Sequence, residues 1–136
     1  MKIAYVLIYV NDLDKMKDFF VKYFKATVND KYENFQTGYT YCYLKFDEGS
    51  RLSLVSGPNI VEPQSQAIVR GLNRFAIAVD SKEEVENITE QLANDGYQIV
   101  NGFRMNGYGE YESRFLDPEG NEIEITTEGN EGRYNF

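Results

Sequence analysis

The chain has no histidine, no tryptophan and a single cysteine, Cys42. Without histidine the commonest general base and metal ligand at neutral pH is missing, so Ser–His, Cys–His and HExxH chemistry are excluded by composition. One cysteine closes no internal disulfide and builds no thiolate metal site. Basic residues are also scarce: 14 Lys and Arg face 22 Asp and Glu, a formal charge of −8. That balance argues against nucleic-acid and anionic-membrane partners and favours a small neutral or zwitterionic ligand. No apolar run approaches the roughly 18 residues of a membrane span, and the N-terminus lacks the basic-then-apolar layout of a secretion signal. The expected location is the cytoplasm. Aromatic residues are plentiful, with 11 Tyr and 9 Phe in 136 residues, a length suited to one domain with its own core.

The apolar pattern runs twice through the same order. A β-rich run, "KIAYVLIYVND", leads into Met16, Phe19, Phe20, Tyr23 and Phe24 at i, i+3, i+4, i+7 and i+8, which predicts an amphipathic helix over about 12–25 with Asp12 as N-cap. Strands are predicted near 27–35, 39–46 and 51–56. After "GPNIVEPQSQAIVRG", a Pro-containing polar linker, comes the strand "LNRFAIAVD". The helix "SKEEVENITEQLANDG" follows, with Ser81 and Glu84 spaced as a capping box, Val85, Ile88 and Leu92 as its stripe and Gly96 as its stop. Further strands are predicted near 97–104, 110–116 and 122–127, the last two joined by the turn sequence "DPEGN". The expected organisation is therefore α+β, two tandem β-α-β-β-β modules. They occupy about 1–57 and 72–128, with a linker at about 58–71 and a polar, Gly-rich tail at 129–136 expected to be mobile or to lie over a neighbour.

The modules align residue by residue. "IAYVLIYV" at 3–10 registers with "LNRFAIAV" at 72–79, setting Tyr5 opposite Arg74, and "RLSLV" registers with "EIEIT", setting Ser53 opposite Glu124. Alternation gives each strand one aliphatic face, such as Phe75, Ile77 and Val79 or Ile123 and Ile125, and one mixed face carrying Arg74 or Glu124. If the aliphatic faces pack on the helices, Tyr5, Ser53, Arg74 and Glu124 turn toward a shared cleft. Tyr39, Tyr41 and Tyr43 lie on one face of their strand and offer ring surface for a ligand, whereas Cys42 lies on the opposite face as a buried thiol. An arginine on an inward face needs a partner, and Glu124 is the carboxylate expected to answer Arg74, neither having another obvious partner on those faces.

The stretches "YVNDLDKMKDFFVKYF" and "FLDPEGNEIEIT" resemble the vicinal oxygen chelate superfamily, which includes glyoxalase I, bleomycin- and fosfomycin-resistance proteins and extradiol dioxygenases; the resemblance spans the whole chain. It implies a divalent metal held by one residue on the first and one on the last strand of each module, usually His or Glu. Those positions are Tyr5, Ser53, Arg74 and Glu124, and only Glu124 keeps a ligand type of the family. An arginine at a ligand position opposes a bound cation, so no metal and no other cofactor is expected, with Arg74 standing in for the ion. Three readings stay open. The first is a metal-free, bleomycin-resistance-like binding protein that holds a small molecule through Tyr5, Ser53, Arg74, Glu124, Tyr41 and Tyr43. The second is a lyase or isomerase resembling lactoylglutathione lyase, with Glu124 as general base and Arg74 as electrophile. The third is a regulatory or assembly module without a ligand. Fold analogy adds the expectation of a homodimer.

Overall fold

The computed structural model describes residues 1–65 and 67–128; the tail at 129–136 lies outside them. The chain divides into two compact units, Met1–Ala67 and Ile68–Phe136. In the first, β1 (Tyr5–Tyr9), α1 (Leu13–Phe24), β2 (Thr27–Val28), β3 (Tyr32–Glu33), β4 (Thr40–Lys45) and β5 (Arg51–Ser56) follow one another. Asp12 caps α1 by accepting the Lys15 N–H at 3.0 Å, which satisfies one of the donors that a helix start leaves open. The stripe buries Leu13, Met16, Phe19, Phe20 and Tyr23. Full burial of a side chain such as Phe20 is worth about 2–3 kcal/mol. The helix stops at Lys25, whose φ of 56° is left-handed. The sheet under it has the order β1-β5-β4-β2, with β1 parallel to β5 and β3 also paired to β4.

The second unit repeats this plan. It runs β6 (Phe75–Val79), α2 (Lys82–Asn94), β7 (Ile99–Met105), β8 (Tyr111–Leu116) and β9 (Glu122–Thr127), in the sheet order β6-β9-β8-β7 with β6 parallel to β9. Ser81 caps α2 by accepting the Glu84 N–H at 3.2 Å. The Glu84 carboxylate reaches back to the Asp80 N–H at 3.4 Å, one residue earlier than a capping box requires. Val85 and Leu92 are buried as expected, and Thr89 joins them because its hydroxyl is satisfied by the Val85 carbonyl and by Ser113 Oγ, both at 2.6 Å. The helix ends before Gly96, where φ is +95°. The repeat registers as the alignment requires: Leu7 pairs with Ser53 in one sheet, and Ala76 pairs with Glu124 in the other.

Two boundaries differ from expectation. The strand predicted over 27–35 is two short ones, because the Asn29 side chain takes the Tyr43 N–H at 2.7 Å where a longer strand would offer a backbone carbonyl. The strand predicted from residue 72 begins at Phe75, opposite Ile123. Arg74 therefore sits just before β6 rather than within it.

Candidate functional site

The second unit builds a charged network on the face of its sheet opposite α2. Alternation does the sorting. Ile123 and Ile125 of β9 and Ser113 and Phe115 of β8 are buried on the helix side, Ser113 bonding directly to Thr89 of α2. Glu122 and Glu124, with Glu112 and Arg114, are left on the other side. The antiparallel register sets Arg114 across from Glu124, and Arg104 across from Glu112.

Side chains then link in a zigzag of alternating sign. Arg104 Nη2 lies 2.6 Å from Glu112 Oε1, and that oxygen is 3.8 Å from Arg114 Nη2. Arg114 Nε approaches Glu124 Oε1 at 2.8 Å, and Arg74 Nε donates to the same oxygen at 2.6 Å. Arg74 Nη1 donates to Asn73 Oδ1 at 3.1 Å and stands 3.9 Å from Glu122. Burial is deepest in the middle of the network and least at its ends: Glu112 is 4% exposed, Glu124 13% and Arg114 20%, against 33% for Arg74 and 38% for Arg104. Three guanidiniums meet three carboxylates in this network, so its formal charge cancels. The Nε–H groups of Arg104 and Arg114 are buried and make no aligned hydrogen bond among the described residues; the Arg114 contact with Glu124 is an ion pair whose N–H points off the oxygen.

The expected pairing of Arg74 with Glu124 is present, but it is not exclusive. Glu124 answers Arg114 as well, and Arg74 is within ion-pair distance of Glu122. The expectation that neither has another partner of opposite charge is therefore corrected. The missed partners carried a signal: "YESRFL" alternates as β9 does, so Glu112 and Arg114 share a face opposite Ser113 and Phe115. Arg104 carries no such signal, because β7 shifts register on either side of Asn101 and periodicity does not carry across the irregularity.

In the first unit the corresponding positions are aromatic and neutral. Ser53 is buried, with a hydroxyl that has no hydrogen-bond partner among the described residues. Leu7 of β1 and Tyr43 of β4 flank it. Tyr5 is half exposed, and Arg51 lies over its ring at 5.8 Å and over that of Tyr43 at 5.1 Å, two cation–π contacts. Tyr41 is partly buried and packs on Tyr32 with ring centroids 5.9 Å apart. Cys42, on the opposite face, is fully buried, and burial pushes its thiol above the ordinary range.

These residues do not fit the divalent ion implied by the resemblance. Among the described residues no group of three or more His, Cys, Asp or Glu is placed to hold a metal, whereas such a site needs about three oxygen or nitrogen ligands from the protein. The one position that keeps a ligand type, Glu124, is already engaged by two guanidiniums. What the arrangement offers is N–H donors beside a carboxylate.

Comparison with known proteins supports the fold and the family. The Bacillus subtilis protein YqjT, described as uncharacterized, is 25% identical over 124 residues, 89% of this chain and 94% of its own. A glyoxalase/bleomycin resistance protein/dioxygenase domain from Frankia sp. EAN1pec superposes with a TM-score of 0.78 at 14% identity, covering 96% of this chain and 98% of that one. The trypanothione-dependent glyoxalase I of Leishmania major gives 0.73 at 19% identity, covering 93% and 86%. The profile of one family matches residues 2–125, and the chain belongs to it: the Glyoxalase/Bleomycin resistance protein/Dioxygenase superfamily.

Proposed function

We propose that this is a metal-independent member of the superfamily that binds a small organic molecule against the charged face of its second sheet. The observation that carries the reading is the alternation of guanidiniums and carboxylates on one sheet face, of which Arg74, Arg104 and Glu122 are partly open to solvent. A ligand oxygen meets the exposed guanidinium N–H groups, and a ligand N–H or O–H meets the carboxylate edge, so a molecule carrying both, such as a zwitterion or a hydroxy acid, suits the face. Saturation-transfer NMR with a panel of small zwitterions and hydroxy and keto acids tests it. The bound compounds are expected to lose about tenfold or more in affinity in Arg114→Gln and in Glu124→Gln, the effect of one charge-assisted hydrogen bond. Undiminished affinity in both variants, or a panel that does not bind at all, overturns the proposal.

A second reading, a lyase or isomerase, is favoured by one detail. Both arginines engage Oε1 of Glu124, while Oε2 accepts no hydrogen bond among the described residues. Oε2 is then the basic atom for a proton next to a carbonyl, with Arg74 steadying the enolate oxygen. Exchange of such a proton for solvent deuterium in bound ketones, abolished by Glu124→Gln, supports this reading; binding without exchange rules it out.

A further inference from the structure

The first unit carries a groove lined by none of the residues of the charged network. Its volume is about 490 Å³, and its walls come from the segment before β1, from β2, from the end of β4 and from the start of β5. Three cations line it, Lys2, Lys45 and Arg51, together with Tyr43, Thr27 and Asn29; no carboxylate is among the lining residues. In a chain of charge −8 this is an unusual concentration of one sign. Lys17 and Lys31 pair with Asp14, and Arg74, Arg104 and Arg114 with glutamates. Lys2, Lys45 and Arg51 have no ion-pair partner among the described residues.

The groove is also held in shape. Ser50 Oγ donates to the Ile3 carbonyl at 2.6 Å and the Arg51 N–H to the Ala4 carbonyl at 3.1 Å, tying the segment before β1 to β5. Asn29 is bonded to the Tyr43 backbone through its side chain and its own N–H. The rings of Tyr43 and Tyr5 lie against the Arg51 guanidinium. Its charge is answered by no carboxylate among the described residues, and arginine binds phosphate or carboxylate with two parallel bonds.

We propose that this groove is an anion site for a phosphate monoester. Two negative charges on one phosphoryl group match a fork and two ammonium groups better than a single carboxylate does, and the volume lies in the range of small-ligand pockets, about 300–1,000 Å³. The site shares no residue with the network on the second sheet and does not depend on the function proposed for it.

Inorganic phosphate and phenyl phosphate, titrated at low ionic strength and followed by amide and arginine side-chain NMR shifts, provide the test, with acetate and phosphatidic acid vesicles as comparisons. Both phosphates are expected to saturate shifts at Arg51, Tyr43 and Asn29, at concentrations well below any needed for acetate. Arg51→Gln is expected to weaken binding about tenfold or more, and Lys45→Gln several-fold, as for loss of charge-assisted contacts. Lys45 is exposed, so its variant folds and keeps the test sound if Arg51→Gln does not. Absence of saturation, equal binding in Lys45→Gln, preference for acetate, binding confined to the vesicles, or affinity lost in Arg74→Gln instead overturns the proposal.

Discussion

Glu124 is the hub of the charged network, and its removal is predicted to cost more than removal of either arginine. Alanine at this position takes away the oxygen that lies 2.6 Å from Arg74 and 2.8 Å from Arg114. Arg114 is then left with Glu112 at 3.8 Å, and Arg74 with Glu122 at 3.9 Å and Asn73. Breaking a fully buried pair costs about 3–5 kcal/mol, and breaking an exposed one about 1 or less. Glu124 is 13% exposed and Arg114 20%, near the buried end, whereas Arg74 at 33% is well screened. The expected losses are about 2–3 kcal/mol for Glu124→Ala, about 2 for Arg114→Ala and about 1 for Arg74→Ala, because Glu124 keeps Arg114 when Arg74 is gone. Urea unfolding of the single variants and of Arg74→Ala/Glu124→Ala closes a double-mutant cycle with an expected coupling of about 1 kcal/mol. Additive losses, or an Arg74→Ala loss equal to that of Glu124→Ala, would refute the shared-hub description.

Asp117 holds the turn before β9 by accepting the N–H groups of Glu119 and Asn121 and the Asn121 side-chain amide, at 2.8–2.9 Å, so Asp117→Ala should lower stability by about 2–4 kcal/mol in urea unfolding. Burial raises its pKa in spite of those bonds. The folded state thus favours the protonated acid, and the Asp117 contribution is full below the ordinary aspartate range and is lost as pH rises through the raised value. Stability of the wild type relative to Asp117→Asn should fall with pH across that window, and a rise would show that the hydrogen bonds outweigh burial. Thr89→Ala leaves Ser113 Oγ without its buried partner and is expected to cost about 1–2 kcal/mol, with Thr89→Ala/Ser113→Ala costing less than the sum of the two single variants. Cys42, buried and with a raised pKa, should resist aromatic disulfide reagents in the native protein and react with one equivalent on unfolding; rapid native labelling would contradict its burial.

The helices and β9 were legible because period and caps agree in them. Asp12 and Ser81 each precede a 3.6-residue stripe, and "DPEGN" ends one strand where the next begins. The short β2 and β3 were not, since the break depends on Asn29 capturing a backbone N–H from β4, a partner distant in sequence. Of the site, alternation found Arg74 and Glu124 on one face and paired them correctly. Arg114 and Glu112 are equally readable in "YESRFL" by the same alternation, although the family resemblance points only to the first and last strands of each module and not to this one. The role of Arg51 depends on which rings flank it across β1 and β4, and strand register is a tertiary fact that local pattern does not supply.

Metal content tests the central claim most directly. Protein purified without chelator, then incubated with excess zinc, nickel or manganese and desalted, is analysed for each element beside Glu124→Gln treated in the same way. Two guanidiniums on the one retained ligand predict far less than one ion per chain in either protein. A ratio near one ion per chain that disappears in Glu124→Gln would contradict the account, because Glu124 would then answer a metal rather than Arg74 and Arg114.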